Sequence, residues 1–395
     1  MRKIAIVTVA RSDYGIYLPI LRLIQADPDL QMHLIVSGMH LSPEFGLTVE
    51  EIARDGYRID QRVEMLVSSD TPQAIAKSIG LGVIGFAQAF ASDRPDLLVV
   101  LGDRFEMYAA ALAALPFKIP LAHIHGGELT QGAIDDALRH SMTRLSHLHF
   151  VATEPYARRV IQMGEEPWRI TISGAPSLDN LHQVNLLTAA ELIKEYGFEL
   201  SPAPILVTFH PVTLEYEQTA FYTAELLAVL EKVEHPLIFT LPNADTSGRE
   251  IIRQINEFLQ VHPHARLVAN LGTQIYFSLM AQAAAMVGNS SSGIIEAASF
   301  ELPVVNIGTR QAGRVRARNV IDTGYGRSEI TNCLKLALDP NFKQSLKGME
   351  NPYGNGEAAE KIVSVLKSCP LDDRLMHKCF YDLPDAGNLM EIDIK

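Results

Sequence analysis

The feature that most constrains the fold is a regular alternation of short apolar runs with longer segments of helical periodicity. Leu97–Leu101 is apolar at every position, as strands buried on both faces of a parallel sheet are. Further predicted strands are Lys3–Val9, Met32–Ser37, Leu121–Ile124 and His149–Ala152, and the predicted helices are Tyr14–Ala26, Thr71–Ser92, Phe105–Leu115 and Ile134–Leu145. This alternation predicts a doubly wound α/β domain.

A cluster of turn-forming residues at Ser173–Ser177 interrupts the alternation, which resumes after Ser201–Pro204. Strands are then predicted at Ile205–Phe209, Leu237–Thr240, Arg266–Ala269, Ala285–Gly288 and Pro303–Ile307. We therefore expect two similar domains, at residues 1–175 and 176–365, followed by a C-terminal tail at residues 366–395. A helix predicted at Glu357–Leu366 is placed to pack back on the first domain.

Composition narrows the classes of partner. The net charge of −12 opposes binding to a polyanion, so we expect no nucleic-acid partner. The three cysteines form no CxxC pair, which argues against a disulfide framework or zinc site and suits a reducing cytoplasm. The richest apolar run, Met107–Phe117, is too short to cross a bilayer, so we expect no membrane partner.

Polar residues follow the predicted strands directly, and ligands of such sheets bind outside the carboxyl ends of the strands. Arg11 follows the first strand, in a segment without the GxGxxG fingerprint of dinucleotide binding. An arginine beside a helix N-terminus suits a phosphate, because the guanidinium and the backbone N–H groups both donate. An arginine on an ordinary turn is the alternative.

Gly102-Asp103-Arg104 follows the most apolar strand. The glycine permits a tight turn, which places the Asp103 carboxylate and the Arg104 guanidinium at the mouth of a cleft. The alternative is that Asp103 caps the helix that begins near Phe105.

The segment from His123 to Glu128 ends the next strand, and Asp135 and Arg139 lie one helical turn apart beyond it. Glu128, Asp135 and Asp103 can converge, and mutual repulsion among carboxylates raises the pKa of one while another stays a base. Two alternatives stay open: a structural Asp135–Arg139 ion pair, and a metal held by His123 and His125, which would point the same way on a strand.

The second predicted domain repeats this placement. His210 follows its first strand, where an imidazole can pair with a phosphate or shuttle a proton. Asn243 lies at the equivalent end of the next strand and is expected to line the same cleft.

A turn of small polar residues at Asn289–Ser292 opens a predicted helix, and such a turn cradles a pyrophosphate well. Ser290 and Ser291 supply hydroxyls, and Glu296 is positioned to accept bonds from ribose hydroxyls. A serine N-cap is the alternative. Four arginines between Arg310 and Arg318 form a local cationic patch, interpreted as a phosphate-facing loop rather than a solvated one.

In this order, the motifs resemble the hydrolysing UDP-N-acetylglucosamine 2-epimerases of bacterial sialic-acid pathways and the epimerase domain of the bifunctional animal enzyme. The resemblance spans about residues 11–318 and rests on Arg11–Tyr14, Gly102–Phe105, His123–Glu128, Gly132–Asp136, Arg139-His140, His210–Thr213, Asn289–Ser291 with Glu296, and Gly308–Gln311.

The resemblance implies a GT-B fold, an α/β architecture of two Rossmann-like domains with the active site in the cleft between them. It implies conversion of UDP-GlcNAc and water to ManNAc and UDP, feeding sialic-acid synthesis, with neither cofactor nor metal. UDP is first eliminated across C1–C2, and water then adds to the glycal intermediate with inversion at C2. A homodimer or homotetramer is also expected.

Carried onto this sequence, the resemblance assigns acidic catalytic roles to Asp103, Glu128 and Asp135. It places His210 and Arg139 near the departing pyrophosphate. The remaining expected UDP contacts are Arg11, Arg104, Asn243, Ser290, Ser291, Glu296 and Arg310. Many relatives carry glutamate where this chain has His125, so either Glu128 or His125 takes part of the proton-transfer role.

Three alternatives accompany this interpretation. The pathway relatives that act on UDP-N,N′-diacetylbacillosamine share the same motifs. A GT-B glycosyltransferase has the same two-domain plan but needs an acceptor. A non-catalytic sugar-nucleotide sensor is disfavoured, because carboxylates beside an anionic ligand weaken binding unless chemistry requires them.

Overall fold

The computed structural model describes residues 1–131, 133–242, 247–268 and 271–383. The chain forms two compact units. The first comprises Met1–Glu128, Asp135–His182 and the described part of Tyr353–Lys395, and the second comprises Leu129–Ile134 and Gln183–Pro352.

The first unit is built on a 7-stranded parallel sheet in the order β3-β2-β1-β4-β5-β6-β7. Its strands are β1 (Arg2–Thr8), β2 (Leu30–Ser37), β3 (Gln61–Val63), β4 (Leu97–Leu101), β5 (Leu121–Ile124), β6 (Leu148–Val151) and β7 (Ile170–Ile172). The helices that accompany it are α1 (Arg11–Ala26), α2 (Val49–Arg54), α3 (Pro72–Ser92), α4 (Phe105–Ala114), α5 (Asp135–Leu145), α6 (Glu154–Gln162), α15 (Ala358–Ser368) and α16 (Asp373–Met376). A short helix, α7 (Asn180–Gln183), leads the chain into the second unit.

The second unit contains a 6-stranded parallel sheet in the order β10-β9-β8-β11-β12-β13. Its strands are β8 (Ile205–Thr208), β9 (Leu237–Thr240), β10 (Ala265–Val268), β11 (Ala285–Gly288), β12 (Val304–Ile307) and β13 (Val320–Thr323). Its helices are α8 (Ala189–Tyr196), α9 (Thr219–Leu230), α10 (Gly248–Val261), α11 (Gly272–Gln282), α12 (Ser292–Ile295), α13 (Arg327–Leu338) and α14 (Pro340–Ser345).

Burial follows the pattern that the sequence predicts. Every residue of β4 is buried, and β4 lies between β1 and β5 in the middle of its sheet. Register places Ile4 beside Leu97 and Val100 beside His123, so the carboxyl ends of β1, β4 and β5 lie side by side. The α/β class is confirmed, and the strand-end residues of each sheet share one edge.

Three strands escape prediction: β3, β7 and β13. All three lie at an edge of their sheet and are only partly buried. A strand that is not covered on both faces does not need a continuous apolar run, so the signal that reveals β4 is missing from these segments.

The units differ from the expected boundary at residue 365. Residues 353–365 belong to the first unit, where Asp179 accepts hydrogen bonds from the backbone N–H groups of Ala358 (3.0 Å) and Ala359 (2.6 Å) at the start of α15. The carboxylate satisfies two of the donors that every helix N-terminus leaves open. The helix predicted at Glu357–Leu366 therefore packs with the first unit.

The C-terminal segment expected as a separate tail also belongs to the first unit as far as it is described. The guanidinium of Arg169 donates to the carbonyl oxygens of Leu375 (2.9 Å), Arg374 (2.9 Å) and His377 (3.2 Å). Residues 384–395 lie outside the described residues.

Helix α3 is, within the described ranges, the helix long and apolar enough to cross a membrane by length and composition alone. The core helix of a soluble protein passes the same test. The sequence pointed instead to Met107–Phe117, which mostly forms α4, because Gln73, Lys77 and Gln88 interrupt the apolar character of α3.

Gly288→Ala is expected to lower the free energy of unfolding by roughly 2–4 kcal/mol. Gly288 ends β11 at a φ of +133°, and an added Cβ would lie 1.9 Å from the carbonyl oxygen of its cross-strand neighbour Thr208. Urea denaturation measures the loss. Gly348→Ala is the matched control, because Gly348 has a φ of +66° with no atom within 4 Å of the added Cβ. Equal losses in both variants would show that the clash with Thr208 is relieved at no cost.

Candidate active site

The first cluster of candidate residues lies where β4 and β5 end. The backbone N–H of Gly102 donates to the carbonyl of Ile124 (2.9 Å), which ties the two strand ends together. Gly102 has a φ of +75° with open space where a Cβ would be, so the position needs glycine for its backbone conformation rather than for room.

Asp103 follows this turn with its side chain 20% exposed. The N-cap of α4 is Arg104, which makes no side-chain capping bond, so Asp103 lies one residue too early to be the cap. Helix capping, the alternative explanation of this carboxylate, is therefore not what the structure shows. Asp103 instead forms an ion pair with Arg139 of α5.

Arg139 connects the three segments of this cluster. Its side chain is 2% exposed, and its two terminal nitrogens donate to the carboxylate of Asp103 and to the carbonyl of His125 (2.7 Å). One of them also lies 3.8 Å from Glu128. Asp135, in the first turn of α5, is partly buried. The guanidinium is thus oriented by groups that follow β4 and β5, and these contacts reach beyond the Asp135–Arg139 pair considered from the sequence.

His125 lies just beyond the end of β5 with a φ of +65°, a conformation that side chains other than glycine rarely adopt. Its Nδ1 lies 2.6 Å from Oε1 of Glu128, and both side chains are buried. Within the described ranges, the buried Nε2 of the same ring has no hydrogen-bond partner.

His123 plays a different part from His125. Its Nε2 donates to the carbonyl of Gly102 (2.8 Å), and its Nδ1 lies 3.2 Å from the hydroxyl of Thr143. Burial lowers the pKa of His123 to about 3, so the ring is neutral and braces the turn before Asp103. Because His125 lies past the last strand residue, strand alternation does not align the two rings. Among the described residues no group of three or more His, Cys, Asp or Glu side chains is arranged to hold a metal.

Arg11 and Arg104 lie near the end of β1. Arg11 is the first residue of α1 and partly buried, and Arg104 is paired with the buried Glu106 (2.8 Å). The sequence missed His40, whose ring contacts the hydroxyls of Thr8 (2.9 Å) and Thr48 (2.7 Å). Burial lowers the pKa of His40 to about 3, and the positive charges of Arg104 and Arg11 act in the same direction.

The second cluster lies in the second unit, where β8 and β11 end side by side. Asn289 is fully buried, and its side-chain amide bonds to both backbone polar groups of His210. Its Oδ1 accepts from the backbone N–H of His210 (2.7 Å), and its Nδ2 donates to the carbonyl of His210 (2.9 Å). The carbonyl of Asn289 accepts in turn from Arg310 (3.1 Å) and Gln311 (2.8 Å).

Asn289 and Gln311 were part of the sequence motifs but were not chosen as site residues. Their position in the sequence could have identified them, since each lies within a segment of polar residues that follows a strand. Asn289 joins two of the predicted site residues, His210 and Arg310, through backbone and side-chain bonds.

Ser290 and Ser291 are partly exposed at the start of α12. Ser291 occupies the N-cap position without a side-chain capping bond, and the hydroxyl of Ser290 accepts from the backbone N–H of Ser292 (3.3 Å). Glu296 is buried directly after α12. The capping explanation therefore does not account for the Ser291 hydroxyl.

The arginines in the loop from Arg310 to Arg318 bond to neighbouring protein groups. Arg316 pairs with Asp322 and donates to the carbonyls of Arg314 and Gln311. Arg314 donates to the carbonyl of Leu129, and Arg318 donates to that of Lys347. Arg310 lies against the Asn289 turn, and the expectation that this loop faces a phosphate stays a prediction. Asn243, the remaining predicted contact, lies outside the described residues.

The chain is similar in sequence to proteins of one known family. Residues 22–367 match the sequence model of the family described as UDP-N-acetylglucosamine 2-epimerase. The chain is 41% identical to the GDP/UDP-N,N′-diacetylbacillosamine 2-epimerase (hydrolyzing) of Campylobacter jejuni, over 97% of this chain and 99% of that protein. It is 38% identical to the UDP-N,N′-diacetylbacillosamine 2-epimerase (hydrolyzing) of Legionella pneumophila, over 96% of this chain and 99% of that protein.

Solved structures agree on the fold. The UDP-GlcNAc 2-epimerase from Neisseria meningitidis bound to UDP-GlcNAc superposes with a TM-score of 0.79 at 18% identity, covering 92% of this chain and 99% of that chain. The likeness confirms the expected fold class, two Rossmann-like α/β domains of the GT-B type.

Asn289→Ala is expected to lower the free energy of unfolding by roughly 2–4 kcal/mol, because the buried N–H and C=O of His210 lose their partners. Urea denaturation of the purified variant measures the change. Ser290→Ala is the matched control on the neighbouring residue, and its partly exposed hydroxyl is expected to matter by less than about 0.5 kcal/mol. Similar stability of the two variants would contradict the bracing role of Asn289.

Proposed function

Because the chain belongs to the UDP-N-acetylglucosamine 2-epimerase family, we propose that it is a hydrolysing 2-epimerase that releases the nucleotide from a nucleotide-linked N-acetylated amino sugar. The observation that carries the proposal is the 41% identity, along nearly the whole of both chains, to a relative named for that reaction. The cluster of Asp103, Arg139, Glu128 and His125 supports it, since acids and an imidazole gathered at one sheet edge suit proton transfer.

For the sugar, we propose N,N′-diacetylbacillosamine rather than N-acetylglucosamine. The motifs alone placed UDP-GlcNAc first, but relatives at 41% and 38% identity are both named for diacetylbacillosamine. The name of the first includes GDP as well as UDP, so the nucleotide also needs a direct test. The freed 2-epimer would enter synthesis of a sialic-acid-like sugar of the legionaminic type.

The proposed reaction has two steps. A base takes the C2 proton, the C2–H electrons form the C1–C2 double bond, and the C1–O bond breaks so that its electrons leave with the nucleotide. Water then adds its oxygen to C1 while an acid delivers a proton to the opposite face of C2. Asp103, Asp135 and the His125–Glu128 pair are the proposed acid–base groups. Arg139 pairs with Asp103 and lies 3.8 Å from Glu128, so it orients two of these carboxylates.

The remaining predicted residues are assigned to binding of the nucleotide. Arginine donors suit a diphosphate, because guanidinium groups form short, charge-assisted bonds to phosphate oxygens. The proposed contacts are Arg11, Arg104, Asn243, His210, Ser290, Ser291, Glu296 and Arg310. A cytoplasmic location and a homodimer or homotetramer stay predictions, the latter to be checked by sedimentation.

Incubation with UDP-diacetylbacillosamine is expected to yield free nucleotide and the free 2-epimer sugar, faster than incubation with UDP-GlcNAc. Run in D₂O, the reaction should place deuterium at C2, because the intermediate regains its proton from exchangeable groups. Chromatography of the nucleotide and NMR of the sugar measure both, with GDP-diacetylbacillosamine as a third substrate. A nucleotide-linked 2-epimer as the stable product would contradict the hydrolysing reaction, and a demand for an acceptor would favour a glycosyltransferase.

Asp103→Asn is expected to keep UDP binding and to lose roughly 10²–10⁴-fold in kcat, since it removes an acid–base group without changing its size. Calorimetry with UDP and nucleotide-release assays separate the two effects. Asp96→Asn is the matched control, because Asp96 immediately precedes β4, at its opposite end, and its carboxylate accepts a hydrogen bond from the backbone N–H of Lys3 (2.8 Å). Normal turnover in the Asp103 variant would favour a non-catalytic sugar-nucleotide sensor.

A further inference from the structure

We infer that His125 and Glu128 form a proton-transfer dyad, in which the imidazole Nε2 exchanges the C2 proton of the sugar and Glu128 orients the ring. This inference rests on the proposed function and deepens it by assigning one atom to one proton. It also separates the two residues, because His125 becomes the catalytic residue and Glu128 a positioning residue.

The hydrogen bond between the two side chains fixes which nitrogen is available. An ionised carboxylate only accepts, so the 2.6 Å contact with Oε1 of Glu128 requires the proton of a neutral ring to sit on Nδ1 of His125. The lone pair then lies on Nε2. A histidine held in this way by a carboxylate is the arrangement that lets an imidazole act as a general base.

The Nε2 atom itself points to a ligand. It is buried, and in the part of the chain that the structure describes it has no hydrogen-bond partner. Buried polar atoms of native proteins are nearly always bonded, so an exception calls for a functional explanation. A role for Nε2 as acceptor of the C2 proton is such an explanation, because a C–H group forms no strong hydrogen bond with the nitrogen before the reaction.

The backbone of His125 is held in a costly conformation. A φ of +65° is unfavourable for a residue other than glycine, and yet the histidine rather than the following Gly126 occupies this position. Two bonds hold the peptide in place: its N–H donates to the carbonyl of Phe150 (2.9 Å), and its carbonyl accepts from Arg139 (2.7 Å). Strain maintained by surrounding bonds is typical of functional residues.

The charges that face the ring suit a proton acceptor. Glu128 contacts the ring directly, and the neighbouring His123 is neutral. A proton taken up by His125 forms an ion pair with Glu128, which stabilises the imidazolium.

The step balances without a further reagent. The Nε2 lone pair takes the C2 proton, the C–H electrons form the C1–C2 double bond, and the C1–O electrons leave on the nucleotide. In the second step water supplies hydroxyl to C1, and an acid on the opposite face supplies the proton to C2. The proton that the water loses restores this acid, and the proton held on Nε2 of His125 passes to solvent as the nucleotide leaves.

His125→Gly tests the assignment by chemical rescue. The variant is expected to lose roughly 10²–10⁴-fold in kcat with UDP-diacetylbacillosamine and to recover part of it when imidazole is added. Because glycine accepts the backbone conformation, the variant is expected to keep its fold, which thermal melting checks. Rescue is measured with a series of azoles of similar size and different basicity, including 1,2,4-triazole.

The azole series separates chemistry from cavity filling. A proton acceptor predicts that rescue follows the basicity of the azole, whereas a structural role predicts that triazole restores activity as well as imidazole does. Rescue should also weaken when Glu128→Gln is combined with His125→Gly, since the added ring loses the carboxylate that orients it. Rescue that follows size alone, or wild-type kcat in the His125→Gly enzyme, overturns the dyad.

A second measurement does not depend on turnover. Nitrogen NMR of the wild-type protein is expected to show the neutral His125 ring with its proton on Nδ1, and Glu128→Gln should disturb that signal. A ring protonated on Nε2 overturns the inference even if His125→Gly fails to fold. Failure of the proposed function looks different, because the wild-type enzyme would then release no nucleotide from any of the three substrates.

Discussion

The first cluster depends on the guanidinium of Arg139. Its two terminal nitrogens hold Asp103 after β4 and the carbonyl of His125 after β5, and one approaches Glu128. Arg139 is buried, and removing one partner of a buried ion pair typically costs about 3–5 kcal/mol. A planar fork with several donors makes all these contacts at once, which the single ammonium of a lysine cannot do with the same geometry.

The central strands and the residues that follow them could be predicted from the sequence, because strand ends meet at one edge of a parallel sheet. The apolar run Leu97–Leu101 located β4, and the residues directly after the predicted strands included Asp103 and His125. The partners of these side chains were not accessible. A structural Asp135–Arg139 pair was the alternative that helix spacing offered, whereas the bonds of Arg139 to Asp103 and to the carbonyl of His125 depend on the sheet register.

The misses share a physical cause, which is that they depend on tertiary contacts rather than on local pattern. Edge strands such as β3 lack a continuous apolar run, and α15 joins the first unit through Asp179, far away in sequence. The sequence placed Asn289 in a phosphate-binding turn, whereas its side chain forms two hydrogen bonds with the backbone of His210. A polar residue after a strand can bind a ligand or brace another residue, and the sequence alone does not distinguish these roles.

The histidine at position 125 also changes the electrostatics of the proposed reaction. A carboxylate there would add a negative charge to a cluster that already holds Asp103 and Glu128 against Arg139. Departure of an anionic nucleotide is easier to accommodate when the base is neutral before the reaction and cationic after it. With the imidazole as the reacting group, the carboxylate of Glu128 acts through the ring from 2.6 Å away, so the negative charge is kept one group removed from the developing diphosphate. The strained backbone at His125 is then the cost of presenting a neutral base at a turn otherwise suited to glycine.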